Sequence, residues 1–274
     1  MLITNHFVVL NFPKTGSSFV REVIKEIYNK RLNKTLIERV LIKLQIKERD
    51  FIKEILMPRF GIPDDKDQHG NYFQIPEKYR NKKIVAVIRN PYLRFESQYK
   101  FKWWAKNTST DADCLNKFPS FPNLSIDDYF EFQLSQVSVQ KELFGIPQNL
   151  NIGYQTIRFI YMFFKNPAEI FPKLTNNYFE SGSYLNDIAE VKFLRQENLN
   201  EELAMFLSNY NFSKYELDFV RQYKKVNVSN SYKSSNESQL TKKTIENIRV
   251  NEHFLFKMLS DLGFNYSMSD SLDE

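Results

Sequence analysis

The chain has 274 residues, 42% hydrophobic and 26% charged, an ordinary balance for one globular domain or two small ones. Its 38 basic and 33 acidic residues give a net charge of +5 without a long polybasic run, which suits an anionic ligand and argues against bulk nucleic-acid binding. One cysteine, Cys114, excludes an internal disulfide and a thiolate metal site, and three scattered histidines (His6, His69, His253) argue against structural zinc.

The first residues, MLITNHFVVLNF, are too short and polar for a signal peptide, and no run of about 18 apolar residues exists. The expectation is a cytoplasmic protein with no transmembrane segment. No Pro/Gly/Ser linker divides the sequence, which predicts a single domain over 1–274.

Residues 7–12 (FVVLNF) read as a strand that breaks at Pro13. Lys14, Thr15, Gly16, Ser17 and Ser18 follow. From Ser17 to about Leu32 the apolar residues Phe19, Val20, Val23, Ile24 and Ile27 recur at helical spacing. Strand, tight turn and helix in succession are the plan of a phosphate-binding turn. The G-x-x-x-x-G-K-[ST] spacing of an ATP- or GTP-binding loop is absent.

Residues 36–56 carry Leu36, Ile37, Val40, Leu41 and Leu44 at helical spacing. Residues 57–79 are polar and turn-rich and read as a long loop, which in a compact domain is functional or disordered. Residues 83–88 (KIVAVI) suit a buried parallel strand. After Arg89, Asn90 as N-cap and Pro91 at the first helical position start a helix that runs through Trp104. Residues 105–124 read as a loop, and Ser125 caps the next helix with Asp127 and Asp128 in its first turn. A buried helix over 157–164, a third strand over 190–194 and a helix over 200–207 follow. A polar loop over 229–238 precedes an amphipathic helix over 241–262 that ends at Gly263.

Strands alternating with helices predict an α/β fold with a mainly parallel sheet. Such folds bind ligands beyond the C-terminal ends of their strands, where residues 13–18 and 89–97 both fall. If the two strands are neighbours, the two segments converge on one crevice.

In the first segment, Gly16 permits close backbone approach or a positive φ. The amides of residues 16–19 would point outward at a helix N-terminus carrying about +0.5 charge. Thr15, Ser17 and Ser18 add hydroxyls, and Lys14 adds a mobile charge. The same residues also read as a capped helix start with a solvated lysine. In the second segment, Arg89 ends a strand and Ser97 lies two turns into the next helix, a fork and a hydroxyl that could clamp a second phosphate. An arginine paired with a carboxylate and a serine on a helix surface is the plainer alternative. Taken together, the two segments point to a ligand with two anionic ends.

These residues resemble a known family. PKTGSS resembles the 5′-phosphosulfate loop of sulfotransferases, PKxGT/S-T/S followed by an aromatic, where Phe19 stands here. RNPYLRFESQY resembles their 3′-phosphate motif, R-[DN]-P-x5-S-x-Y. Weaker likenesses are HGNYFQIPEKYRNKKIVAVIRNP, similar to bacterial and carbohydrate-type members, FLRQENL at 193–199, and KVNVSNSYKSSN at 225–236.

The resemblance implies a P-loop-like three-layer sandwich with a mainly parallel sheet flanked by helices. It implies 3′-phosphoadenosine 5′-phosphosulfate (PAPS) as co-substrate, no metal, and sulfuryl transfer to a hydroxyl, with a saccharide or glycolipid favoured as acceptor. Lys14 would bind the bridging or leaving oxygen, with Thr15, Gly16, Ser17 and Ser18 holding the phosphosulfate. Arg89 and Ser97 would hold the 3′-phosphate. Phe19 would pack near the ligand or in the core. Lys233 and Ser231 would close over the nucleotide. Insertions near 36–79 and 101–124 would shape the acceptor site.

The acceptor hydroxyl needs a base. His69, beside Gly70 in the polar segment, is the first candidate, since imidazole titrates near pH ~6.5. Asp64, Asp65, Asp67 and Glu54 are the alternatives, and a solvent-exposed loop histidine is the plainer reading. His6 and His253 read as structural. Trp103 and Trp104 would either stack on a sugar or close a core. Two other functions stay open: a nucleotide or small-molecule kinase with a divergent phosphate loop, and a non-catalytic nucleotide-binding homologue.

Overall fold

The computed structural model describes residues 1–32, 40, 42–44, 49–59, 62–107, 112–224 and 238–267. Its strands are β1 (Leu2–Thr4), β2 (Phe7–Leu10), β3 (Ile52–Glu54), β4 (Met57–Arg59), β5 (Ile62–Asp67), β6 (Lys83–Ile88) and β7 (Val191–Arg195). Five of them form one sheet in the order β3-β1-β2-β6-β7. β2, β6 and β7 are parallel, with Val9 opposite Val85 and Ala86 opposite Phe193. β1 runs antiparallel to both β2 and β3. The fold is therefore mixed α/β with a parallel core of three strands.

The chain forms two compact units, Met1–Arg89 with Glu190–Val228, and Asn90–Ala189 with Ser229–Glu274. In the first, alternate strand residues Phe7, Val9, Val85, Val87 and Leu194 join one apolar cluster. The Ser17–Leu32 helix adds Phe19, Val20, Val23, Ile24 and Ile27, and the Leu199–Leu207 helix adds Leu203, Ala204 and Leu207. Each Val, Leu, Ile or Phe among them contributes about 1.5–3 kcal/mol when fully buried. This cluster holds the strands side by side and so fixes where their C-terminal ends emerge.

Several expectations need correction. Residues 52–54 do not continue a helix: they pair with β1, Leu2 opposite Glu54 and Thr4 opposite Ile52, because the open edge of β1 offers unpaired backbone groups. Residues 36–39 lie outside the described residues. The segment 57–79 is no open loop. It folds as a β4–β5 hairpin, Met57 opposite Asp67, followed by a 3-10 turn at Glu77–Tyr79. Its polar sequence hides the pairing, since no apolar alternation marks it. Between them Asn71 and Gln74 exchange side-chain to backbone hydrogen bonds of 3.0 and 2.9 Å. Short helices also cross 105–124, at Trp103–Asn107 and Ala112–Lys117.

In the second unit the helix capped by Asn90 ends at Phe101, where Lys102 turns left-handed (φ 50°). Trp104 is a core residue, stacked on Tyr129 at 5.0 Å, whereas Trp103 is partly exposed. The closing helix is two helices, Lys242–Asn251 and His253–Asp261, split at Glu252. The buried Glu252 carboxylate accepts from the amides of Gln155 and Thr156, each at 2.8 Å, and from the Thr156 hydroxyl at 2.7 Å. It caps the Tyr154–Phe163 helix, whose own N-cap is Gly153. Arg94, also buried, donates to Gln155 Oε1 at 2.9 Å. No helix among the described residues is long and apolar enough to cross a membrane.

Candidate functional site

The parallel pairing of β2 and β6 brings the ends of both strands together, and β7 lies next in line. Beyond β2 the chain turns through Pro13 and Lys14 to the helix that starts at Ser17. Lys14 (φ 65°) and Gly16 (φ 89°) both adopt left-handed backbone. Gly16 meets its requirement at no steric cost, whereas Lys14 bears the strain of a Cβ in that region. A Cβ on Gly16 would also press on Leu199 and Gln196, at 3.1 and 3.2 Å.

The hydroxyls of the turn divide into two kinds. Thr15 and Ser17 are buried and donate inward to the Phe12 carbonyl, at 2.8 and 3.0 Å. They build the turn rather than extend from it. Ser18 is half-buried beside them, at the head of the helix. The amides of residues 16–19 do not all turn outward as expected: that of Phe19 donates to the Gly16 carbonyl at 3.0 Å, which leaves the amides before it and Lys14 to supply the positive character of the turn. Phe19 is a core residue: its ring is 5% exposed and meets Tyr223 edge-on at 5.7 Å, and its amide donates to Gly16.

Lys14 and Arg89 lie close enough for like charges to repel. Burial first, and then Arg89, lower the Lys14 pKa from the usual lysine value to about 8. Arg89 follows β6 directly, and its Nε–H is buried without an acceptor among the described residues. An orphaned guanidinium donor next to a second cation makes an environment that an anion stabilises. Gln196 closes the third side. Its amide donates to the Ile88 carbonyl at 2.9 Å, linking the ends of β6 and β7, and its Oε1 is buried without a donor. Gln196 was not singled out from the sequence, although applying the strand-end rule to the third strand reaches it.

His69 joins the same strand ends from the hairpin. Its Nδ1 lies 2.7 Å from the carbonyl of Asn11, the residue after β2, and its amide donates to Asp67 Oδ1 at 2.6 Å. Gly70 lets the chain pass over Met57, whose Cγ a Cβ there would meet at 2.7 Å. Of the alternative bases, Glu54 is held by ion pairs to Arg21 and Lys25, and Asp65 is exposed. The Asp64 side chain lies outside the described residues, as do Lys233 and Ser231. His6 stacks on Tyr210, and His253 bonds the Val250 carbonyl through Nδ1. Ser97 is half-buried on the Pro91–Phe101 helix, which belongs to the second unit.

The first unit thus gathers Lys14, Gly16, Ser18, His69, Arg89 and Gln196 at the C-terminal ends of its parallel strands. Two cations and the head of the Ser17–Leu32 helix can hold an anion, and an imidazole stands near the end of the same strand. Among the described residues no group of three or more His, Cys, Asp or Glu side chains is gathered for a metal ion. Comparisons of the chain with protein-family models, with curated proteins and with solved structures return no match.

Proposed function

We propose that this chain is a PAPS-dependent sulfotransferase with a P-loop-like sandwich fold, acting on a hydroxyl acceptor, with a saccharide as the favoured class. The observation that carries the reading is the placement of Lys14 and Arg89 just beyond the C-terminal ends of adjacent parallel strands, with Arg89 adding to the lowering of the Lys14 pKa. The orphaned Arg89 Nε–H and the glycine-lined turn fit an anionic ligand at that place.

PAPS supplies an activated sulfuryl group. The first-turn amides and Ser18 hold its phosphosulfate, and Arg89 holds its 3′-phosphate. Lys14, largely protonated at neutral pH with its pKa near 8, donates to the bridging oxygen as charge grows there. The acceptor oxygen attacks sulfur in line, the bond from sulfur to the bridging oxygen breaks, and His69 takes the hydroxyl proton. Adenosine 3′,5′-bisphosphate leaves. The single cysteine fits a reducing, cytoplasmic setting.

Thermal stabilisation by adenosine 3′,5′-bisphosphate, compared with ATP and magnesium, tests the class. Stabilisation by the bisphosphate is expected, and preference for ATP sinks the reading. Transfer from labelled PAPS then tests the roles, with Lys14→Ala and His69→Ala expected to lose it. Ser97→Ala tests the 3′-phosphate role that the resemblance gives that hydroxyl.

A further inference from the structure

We infer that Asn11 and Asp67 are positioning residues that hold His69 in one tautomer, with its lone pair on Nε2. The inference rests on the base assignment proposed above and deepens it. A backbone carbonyl only accepts hydrogen bonds, so an imidazole nitrogen 2.7 Å from the Asn11 carbonyl carries a proton. A neutral ring protonated at Nδ1 bears its lone pair on Nε2, which becomes the atom that abstracts a proton.

Three contacts set this arrangement. The Asn11 carbonyl receives His69 Nδ1–H. The Asn11 side chain donates from Nδ2 to the Gln68 carbonyl at 3.1 Å and so grips the residue next to the histidine. Asp67 Oδ1 receives the His69 amide at 2.6 Å from the other side. One residue at the exit of β2 thereby ties the hairpin exit to the strand that leads into the anion-binding turn. Register between base and turn is then a property of Asn11.

The side chain of Asn11 is fully buried, and among the described residues its Oδ1 has no hydrogen-bond partner. The amide orientation is not arbitrary, because only the nitrogen can donate to the Gln68 carbonyl. A position serving stability alone would shed that unsatisfied oxygen. The donor that grips Gln68 is what asparagine provides there and an apolar residue does not.

The test is tautomer-sensitive nitrogen NMR of histidine-labelled protein, in which only three histidines contribute. The full chain is expected to show His69 protonated at Nδ1. Asn11→Ala and Asp67→Ala are expected to mix the tautomers, and Asp67→Asn, which keeps an acceptor for the His69 amide, to restore the single form. In PAPS turnover the alanine variants should lose about 10- to 100-fold in kcat with KM for PAPS unchanged. Asp67→Ala keeps the test decisive if Asn11→Ala does not fold. A His69 that stays purely Nδ1-protonated in a folded alanine variant, or one protonated at Nε2 in the parent chain, overturns the inference. Full-rate transfer by His69→Ala removes the base assignment instead, and the NMR result stands apart from it.

Discussion

Two cations whose pKa burial and a neighbouring arginine lower, one half-buried and one buried, sit in different surroundings. The pKa of Arg94, in the second unit, is lowered to about 9 by burial and by Arg158, yet Tyr154 and Glu252 act against that shift, and Gln155 Oε1 accepts a hydrogen bond from its Nη1. Lys14, in the first unit, is lowered to about 8 by burial and by a second cation, Arg89. One site is compensated from within the fold. The other sets a second cation beside a lysine held in left-handed backbone, a local concentration of positive charge.

Four experiments would break or sharpen that contrast. The largest effect belongs to the compensated site. Glu252→Ala strips the cap from the Tyr154–Phe163 helix and an opposite charge from Arg94, and should cost about 3–5 kcal/mol in urea unfolding. A loss below about 1 kcal/mol would mean the carboxylate is dispensable.

Lys14 should behave in the opposite way. Lys14→Ala is expected to lower kcat for sulfuryl transfer by about 10²- to 10³-fold, as for other lost transition-state donors. Lys14→Gly should be inactive as well but more stable by roughly 1 kcal/mol, since glycine adopts φ 65° without strain. A glycine variant less stable than its parent would show that the lysine supports the fold.

The third test follows from protonation. With its pKa at about 8, Lys14 sheds its proton as pH rises through that value in the ligand-free protein. A bound anion favours the ammonium and raises the pKa again. Binding of adenosine 3′,5′-bisphosphate should therefore take up a proton above pH 8, and its affinity should fall there by up to about tenfold per pH unit. Calorimetry in two buffers of different ionisation enthalpy reads this uptake directly. Binding with no proton uptake would exclude Lys14 from contact with the anion.

The smallest effects separate the two kinds of hydroxyl. Ser17→Ala removes an inward bond to the Phe12 carbonyl and should cost about 1 kcal/mol of stability. Ser18→Ala should leave stability unchanged and weaken the bisphosphate about fivefold. Reversed results, from melting curves and titrations of the two variants, would reverse their roles.

The parts legible in the sequence were those whose local pattern matches their final surroundings. Residues 83–88 read as a buried strand because both of their faces are buried, and Asn90 read as a cap because its side chain does accept from Tyr92. Lys14, Gly16 and Arg89 followed from the turn chemistry and the strand ends. Other elements depend on partners distant in sequence. β1 and β3 are three residues each and exist by pairing, β3 with β1 and β1 with β2 as well. The hairpin carries no apolar alternation. Glu252 broke an otherwise sound helical pattern because its carboxylate caps another helix almost a hundred residues earlier in the chain. Gln196 is visible only once β7 is known to neighbour β6.

The pairing of β6 with β7 also bears on how the protein is made. Ile88 finds its register partner only at Arg195, after the whole run from Asn90 to Ala189 has been synthesised. At a translation speed of about 5–20 residues per second, the outer edge of β6 waits on the order of ten seconds on the ribosome. During that interval it is an unpaired apolar edge, the kind that recruits other chains. Yield in a heterologous host should thus respond to elongation rate and to chaperone supply across that span more than to the stability of the finished fold.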